Sequence, residues 1–169
     1  HGHFEVLKKM LSRLIQSRNV QVILTGDMID RGPASSSVIE LVRKTPNVYS
    51  ILGNHESLLL ESFDRDSGLI DASGHWLKIG GLDTLTSYDV KLSEQIQIES
   101  QSIFFEDVKW IKKLPHEIVL DKWRIVHAGY NPTNPISSQR NHDLLWIRHQ
   151  FFENPNVMDS ERTIIVGHT

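Results

Sequence analysis

Four short apolar stretches of this chain each end at a glycine close to a residue that can bind a metal ion. They are Val22-Ile-Leu-Thr-Gly-Asp27, Tyr49-Ser-Ile-Leu-Gly-Asn54, Arg124-Ile-Val-His127-Ala-Gly129 and Ile164-Ile-Val-Gly-His168. Short apolar runs bounded by turn residues are typical of buried strands. In α/β proteins, ligands gather at the carboxyl ends of the strands. We therefore predict an α/β fold in which these four polar endings meet at one edge.

Composition and charge exclude several classes of protein. The chain has 169 residues, of which 39% are hydrophobic, and this suits one compact domain spanning residues 1–169. It has no cysteine, so disulfides, thiolate zinc sites and cysteine nucleophiles are excluded, and we expect a reducing, cytoplasmic location. The net charge of -3 provides no basic surface for a nucleic acid. No apolar run reaches the length of about 18 residues that a membrane span needs, and the oligomeric state is left open.

The other stretches predict helices and one hairpin. Apolar residues at helical spacing predict a helix from Phe4 to Ile15, and Pro33 is predicted to open the next helix. Two strands between Glu117 and Val126 are predicted to form a β-hairpin. Further helices are predicted in three places: residues 55–63, 96–114 and 143–152. This alternation of helices and strands favours a partly parallel sheet.

The four strand endings offer one carboxylate, one amide and two imidazoles: Asp27, Asn54, His127 and His168. This mixed set of nitrogen and oxygen donors suits Mn, Fe or Zn better than Ca. Together with His1, it could hold two divalent metal ions bridged by one carboxylate. A capped turn would also explain any single ending, but the four together favour a metal centre.

Five ordered motifs extend this pattern over the whole chain. They are His1-Gly2, Gly26-Asp27-Met-Ile-Asp30-Arg31-Gly32, Gly53-Asn54-His55-Glu56, His127-Ala128-Gly129 and Gly167-His168-Thr169. In residue type, spacing and order they resemble the calcineurin-like metallophosphoesterase superfamily, and within it the phosphoprotein phosphatases. The resemblance implies an α/β/β/α sandwich with mixed sheets and a metal-dependent hydrolase.

Two further stretches resemble the compact bacterial and phage members of that group. One is His75-Trp-Leu-Lys-Ile-Gly-Gly81 followed by Thr84-Leu-Thr-Ser-Tyr88, and the other is Leu144-Leu-Trp-Ile-Arg148. Ile79 departs from these members, which often carry Asn before the glycine pair. We assign no chemical role to the first stretch and expect Gly80 and Gly81 to form a turn beneath the site.

By resemblance, the metal ligands divide between two sites that share Asp27. His1 completes one site, and Asn54, His127 and His168 complete the other; Mn is the expected metal, with Fe or Zn as alternatives. The implied reaction is attack on phosphorus by a hydroxide bound to both metals. The family's Asp two residues before His1 is missing from the sequence. We therefore expect the natural protein to continue at both ends with further strands, and the 169-residue chain alone to be a poor catalyst.

A proton for the leaving oxygen is expected to come from His55, which adjoins a ligand without being one. Asp30 would orient the His55 imidazole, although it could instead cap the helix expected at Pro33. Glu56 is interpreted as a helix N-terminal residue rather than an acid catalyst. His75 is interpreted as a surface or packing residue.

Arg31 and Arg148 are expected to bind the phosphate oxygens, because a guanidinium matches that geometry bidentately. Arg31 lies within one of the five motifs. Arg148 falls on a predicted helix that is otherwise apolar, where an ordinary surface arginine is the alternative. Both roles follow from the resemblance.

The leading functional hypothesis is a protein serine/threonine phosphatase whose partner is a phosphoprotein or phosphopeptide. The main alternative is hydrolysis of dinucleoside polyphosphates such as diadenosine tetraphosphate. Family members of that type tend to lose the second Asp of Asp-x-x-Asp-Arg and to carry Trp after the final Gly-His. Asp30 and Thr169 therefore favour the phosphatase. An inactive binding scaffold is a third hypothesis, which the intact ligands and His–Asp pair disfavour.

Overall fold

The structure is a computed structural model that describes residues 1–16, 19–64, 66–71, 74–93 and 96–168. Helices and strands alternate through these ranges, and a π-helical turn at Leu77–Gly81 precedes α4. The helices are α1 (Phe4–Leu14), α2 (Ser35–Lys44), α3 (Asn54–Ser62), α4 (Leu82–Ser87), α5 (Ile103–Ile111), α6 (Asn141–Trp146) and α7 (His149–Phe152). The strands are β1 (Val22–Leu24), β2 (Val48–Ser50), β3 (Phe63–Asp64), β4 (Leu69–Ile70), β5 (Ile96–Gln97), β6 (Glu117–Val119), β7 (Trp123–Val126) and β8 (Thr163–Ile165).

The strands form parallel and antiparallel pairs. β1 and β2 run parallel, with Val22 opposite Val48. β6 and β7 form the predicted antiparallel hairpin, and β8 adds to β7 in parallel. A small antiparallel sheet has the order β3-β4-β5. The predicted α/β fold with mixed sheets is therefore confirmed.

The strands that precede the polar endings are partly buried: Tyr49 and Ile165 are exposed, whereas Val126 is buried. The larger apolar core includes Ile29 and Ile39, whose side chains have no exposed surface. A smaller core joins β7 to α6 through Val126, Tyr130 and Leu144. The organisation of residues 1–169 as one domain stays a prediction. No helix in the described ranges is both long and apolar enough to cross a membrane.

Two local predictions, at the start of α2 and at Ile96, are wrong. Helix α2 begins at Ser35 rather than at Pro33, with Ala34 at the N-cap. Ile96 lies in β5, where it pairs with Ile70 instead of continuing a helix. The second difference arises because strand pairing overrides a local helical pattern.

The predicted helix 143–152 is in fact two helices, α6 and α7. The chain is extended at Ile147, with φ -61° and ψ 144°, and Arg148 follows with φ -134° and ψ -102°. Ile147 is buried whereas Arg148 is exposed. Because of the break, the Ile147 side chain enters the core and the Arg148 side chain points to the surface. A continuous apolar pattern in the sequence does not predict such a break.

Candidate active site

The ends of β1, β2, β7 and β8 surround a cavity of about 450 Å³. All the predicted site residues except Asp30 line it, and Asp30 lies behind His55. Thr25, Gly26, His75, Ile79 and Trp146 complete the lining. The prediction that the four strand endings converge is borne out by this geometry, whereas the chemical roles of the residues remain predictions.

A larger cavity of about 880 Å³ lies beside α2 and α5 and contains none of the predicted site residues. The buried polar side chain in its wall is hydrogen-bonded to its neighbours. The Asp107 carboxylate accepts hydrogen bonds from Arg43 and from the Tyr88 hydroxyl, the latter at 2.8 Å. Groups that satisfy each other in this way support the packing of helices rather than a reaction.

Two groups of donor atoms in the smaller cavity have the spacing of metal ligands. His1, Asp27 and His55 form one group, and Asp27, His127 and His168 form the other. Within each group the donor atoms all lie within 4.8 Å of one another. Asp27 belongs to both groups, as expected of a carboxylate that bridges two ions.

The Asn54 amide adds a donor atom to the second group. The Asn54 amide oxygen Oδ1 lies 2.8 Å from Nε2 of His127 and 2.8 Å from Nδ1 of His168. These two ring nitrogens are only 3.1 Å apart. The other ring nitrogen of His127, Nδ1, lies 2.5 Å from the Thr25 carbonyl and donates to it, which leaves a lone pair on Nε2. Such an arrangement fits a shared divalent ion.

The electrostatic state of His168 also fits a metal ligand. Burial lowers the pKa of His168 to about 4, and repulsion by His127 and Arg148 acts in the same direction. The imidazole is therefore neutral near pH 7, as a metal ligand must be. Within the described part of the chain, the buried Nε2 of His168 has no hydrogen-bond partner.

His1 approaches Asp27 from the opposite side. Its Nδ1 lies 3.0 Å from the Ile29 carbonyl and donates to it, and its Nε2 lies 3.6 Å from Oδ2 of Asp27. In the neutral imidazole, donation from Nδ1 leaves a lone pair on Nε2, so a cation could lie between Nε2 and the Asp27 carboxylate. His1 therefore lies where a metal ligand could bind, and its role as a ligand stays a prediction.

The loops that carry these ligands have an unusual backbone. Asp27, Asp30, Arg31 and His168 all have positive φ, between 48° and 69°. A left-handed conformation is uncommon for residues other than glycine, and such strain clusters at functional sites. Gly53 is needed for close approach, because a Cβ there would lie 2.3 Å from Oδ1 of Asp27. The glycines of the motifs therefore let the strand ends come together.

Glu56 has a larger part in the site than the sequence indicated. It is the N3 residue of α3, as interpreted, yet its side chain has no exposed surface. Its Oε2 accepts hydrogen bonds from the backbone N–H of Asp27 and Gly53, at 2.8 and 2.9 Å. Its Oε1 accepts from Met28 and Ile29, at 2.6 and 3.2 Å. One carboxylate therefore joins the loop of Asp27 to the loop of Asn54.

Burial raises the pKa of Glu56 to about 7, and the nearby Asp27 carboxylate adds to this, whereas the backbone N–H groups act in the opposite direction. Four N–H donors can all be accepted only by the ionised form, since a protonated oxygen would meet two of them as a donor. Only the spacing Gly-Asn-His-Glu could have indicated this residue in advance.

Asp30 and His55 form a buried pair. Nδ1 of His55 lies 2.6 Å from Oδ2 of Asp30, and both side chains are almost fully buried. The helix-cap alternative for Asp30 is wrong, because α2 has no side-chain cap. Trp76 and Thr84 also donate to the Asp30 carboxylate.

Both predicted phosphate ligands lie at the cavity. Arg31 and Arg148 are exposed, and both line the cavity. Arg148 is therefore a surface arginine that also belongs to the lining of the site. Arg148 reaches the cavity because the chain breaks between α6 and α7. The Trp146 ring meets the His168 ring edge to face, with centroids 5.8 Å apart, and His75 is an exposed part of the lining.

Comparison with known protein families shows to which family the chain belongs. The model of the calcineurin-like phosphoesterase family matches residues 1–169. The chain belongs to the calcineurin-like phosphoesterase family. The resemblance drawn from the five motifs is thereby confirmed. Members of this phosphoesterase family typically use two divalent metal ions, and the donor groups around Asp27 fit such a pair.

The relatives of this phosphoesterase carry two different names. Serine/threonine-protein phosphatase 2 of Escherichia coli is 30% identical over 149 residues, which are 86% of this chain and 63% of that protein. The protein of the same name in Salmonella typhimurium is 27% identical over 182 residues, with coverages of 99% and 75%. A symmetrical bis(5'-nucleosyl)-tetraphosphatase of Buchnera aphidicola is 40% identical over 138 residues, with coverages of 78% and 42%. The chain therefore spans less than two thirds of the length of the Escherichia coli relative.

Proposed function

We propose that the protein is a metal-dependent phosphomonoesterase that acts on phosphoserine or phosphothreonine in proteins. The observation that carries the proposal is the buried His55–Asp30 pair beside a cavity with two groups of metal-ligand atoms. A binding scaffold has no need to keep a buried imidazole–carboxylate pair at a metal centre. The tetraphosphatase alternative is disfavoured by Asp30, and by Thr169, which lies outside the described residues.

The ligands of the metal ions would be His1 and Asp27 on one side and Asp27, Asn54, His127 and His168 on the other. Two divalent ions bound there would activate water as a nucleophile near neutral pH. The chain's own residues prepare the site by presenting imidazoles whose Nδ1 atoms are held by the carbonyls of Thr25 and Ile29. Manganese is the ion that we propose, with iron or zinc as alternatives.

His55 would donate a proton to the leaving oxygen of the substrate. Its Nδ1 is occupied by Asp30, which leaves Nε2 for the leaving group. The carboxylate of Asp30 stabilises the protonated imidazole and holds its orientation, as in other His–Asp pairs. A serine or threonine alkoxide is a poor leaving group and benefits from this proton.

Arg31 and Arg148 would bind the oxygens of the phosphate group at the mouth of the cavity. Each guanidinium has N–H groups spaced to contact two oxygens of the same phosphate. Charge that develops on those oxygens in the transition state is stabilised at the same time.

Replacing either arginine with alanine should weaken inhibition by free phosphate and lower kcat/KM. Loss of a charge-assisted hydrogen bond of about 1.5–3 kcal/mol corresponds to a decrease of roughly 10- to 100-fold. Lysine should restore activity only in part, since an ammonium group cannot form the two-pronged contact. Arg140→Ala is the matched control, because Arg140 is exposed but is not part of the cavity. Unchanged phosphate inhibition in Arg148→Ala would assign Arg148 to the surface.

The second candidate function is hydrolysis of dinucleoside tetraphosphates, which the name of the Buchnera aphidicola relative favours. The test compares turnover of a phosphoserine peptide with turnover of diadenosine tetraphosphate by the full-length protein, with and without added Mn²⁺. We expect the higher kcat/KM on the peptide and no turnover after removal of metal with a chelator. A higher kcat/KM on diadenosine tetraphosphate would reject the proposal in favour of the second candidate. Absence of turnover on both substrates, with metal bound, would reject both.

A further inference from the structure

The stretch from His75 to Ser87 had no chemical role in the sequence, yet it packs directly against the loop of Asp30 and Arg31. Gly80 has a φ of 128°, and a Cβ there would lie 2.7 Å from the Arg31 backbone nitrogen and 3.0 Å from Cβ of Asp30. The expected turn at Gly80 and Gly81 is instead the end of a π-helical turn. This geometry allows the backbone of the stretch to touch the loop that carries the proposed acid's partner.

Two side chains of this stretch bind the Asp30 carboxylate. Nε1 of Trp76 lies 3.1 Å from Oδ1 and 3.0 Å from Oδ2, and Oγ1 of Thr84 donates to Oδ1 at 2.6 Å. The Thr84 hydroxyl also accepts from the Asp30 backbone N–H at 2.9 Å. Asp30, Trp76 and Thr84 all have no exposed surface.

These hydrogen bonds offset the free-energy cost of burying the Asp30 carboxylate. An ionised carboxylate removed from water is strongly destabilising unless its oxygens receive hydrogen bonds. His55 supplies one donor, and Trp76 and Thr84 supply donors from the other directions. With both oxygens bound, the carboxylate cannot rotate away from the imidazole.

Helix α4 is itself fixed to helix α2 beside this carboxylate. The Ser36 N–H donates to Oγ of Ser87 at 3.0 Å, and the Ser36 hydroxyl donates to the Ser87 carbonyl at 2.6 Å. Ser35 accepts a further hydrogen bond from the Asp30 N–H at 3.1 Å. Thr84 is therefore held in place by its own helix and does not depend on Asp30 for its position.

We infer that Trp76 and Thr84 are positioning residues, which fix the Asp30 carboxylate so that His55 is held ready to donate its proton. The inference rests on the proposed function, because it assigns a purpose to the acid that the phosphatase needs. The inference gives the His75–Ser87 stretch a role in the reaction. Among the side chains that bind the Asp30 carboxylate (His55, Trp76 and Thr84), His55 is the one that lines the cavity.

The test removes one hydrogen bond at a time and varies the leaving group. Thr84→Val keeps the shape and loses the hydroxyl, Thr84→Ser keeps the hydroxyl, and Trp76→Phe loses the indole N–H. Thr86→Val is the matched control, since its hydroxyl donates only to the Leu82 carbonyl of the same helix, on an exposed face. Each variant is assayed on a phosphoserine peptide and on para-nitrophenyl phosphate, whose leaving group departs without a proton, and His55→Ala is assayed beside them.

We expect Thr84→Val and Trp76→Phe to lower kcat on the peptide by about 10- to 100-fold and on the aryl phosphate far less. Thr84→Ser and Thr86→Val should stay close to the parent. If His55→Ala loses far more activity on the peptide than on the aryl phosphate, but Thr84→Val and Trp76→Phe do not, the inference is overturned and the proposed function stands. If His55→Ala shows equal losses on both substrates, the proposed acid itself fails and the inference falls with it. Trp76→Phe gives an independent reading if Thr84→Val does not fold.

Discussion

Replacement of His55 by alanine should lower kcat on a phosphoserine peptide by about 10²–10⁴-fold. The alkoxide would then leave without a proton, while the ligand atoms of Asp27, His127 and His168 stay in place. Affinity for Mn²⁺, measured by calorimetric titration, should change little. The loss should shrink strongly on para-nitrophenyl phosphate, because that leaving group needs no acid.

The control for this variant is His149→Ala, since His149 is exposed and, among the described contacts, pairs only with Glu153 at the end of α7. That variant should retain the parental kcat on both substrates. Loss of Mn²⁺ affinity in His55→Ala would instead assign His55 to the first group of ligand atoms, with His1 and Asp27. The general-acid role would then have to be given up.

The second large effect is expected for Glu56→Gln. An amide nitrogen in place of one carboxylate oxygen would face two N–H groups, so two buried donors would lose their acceptor. At about 1–3 kcal/mol for each orphaned donor, the free energy of unfolding should fall by roughly 2–6 kcal/mol. Affinity for Mn²⁺ should fall by about 10- to 100-fold, as for other residues that orient metal ligands.

Urea unfolding without metal and Mn²⁺ titration of the folded protein measure these two effects separately. Glu61→Gln is the matched control on the same helix, because Glu61 is exposed and accepts a hydrogen bond from Ser57. A Glu56→Gln variant with unchanged Mn²⁺ affinity but reduced stability would limit Glu56 to a structural role. Parental values of both quantities would contradict the proposed tie between the two loops.

The placement of the ligands could be predicted from the sequence because each follows a recognisable strand. Asp27, Asn54, His127 and His168 all come directly after or at the end of short apolar runs, and parallel strands bring such endings together. The five motifs add the order and spacing that single out the family. No knowledge of side-chain packing is needed for either step.

The supporting residues could not be predicted in this way. Trp76 and Thr84 are separated from Asp30 by 46 and 54 residues, and no local pattern links them. Glu56 was placed correctly at a helix start, but its four donors come from two loops whose shapes depend on the fold. Arg148 was assigned to a continuous helix because the break at Ile147 has neither Pro nor Gly to mark it.

The close contacts between Asn54 and the two imidazoles of the second group join distant parts of the chain. Asn54 and His127 are 73 residues apart, and Asn54 and His168 are 114 residues apart. Closing contacts of such separation costs chain entropy that local helices do not incur, and topologies rich in them fold slowly. No helix, hairpin or fragment on its own can therefore carry a partly working version of this metal centre. The second group can bind an ion only when the distant strand ends have met.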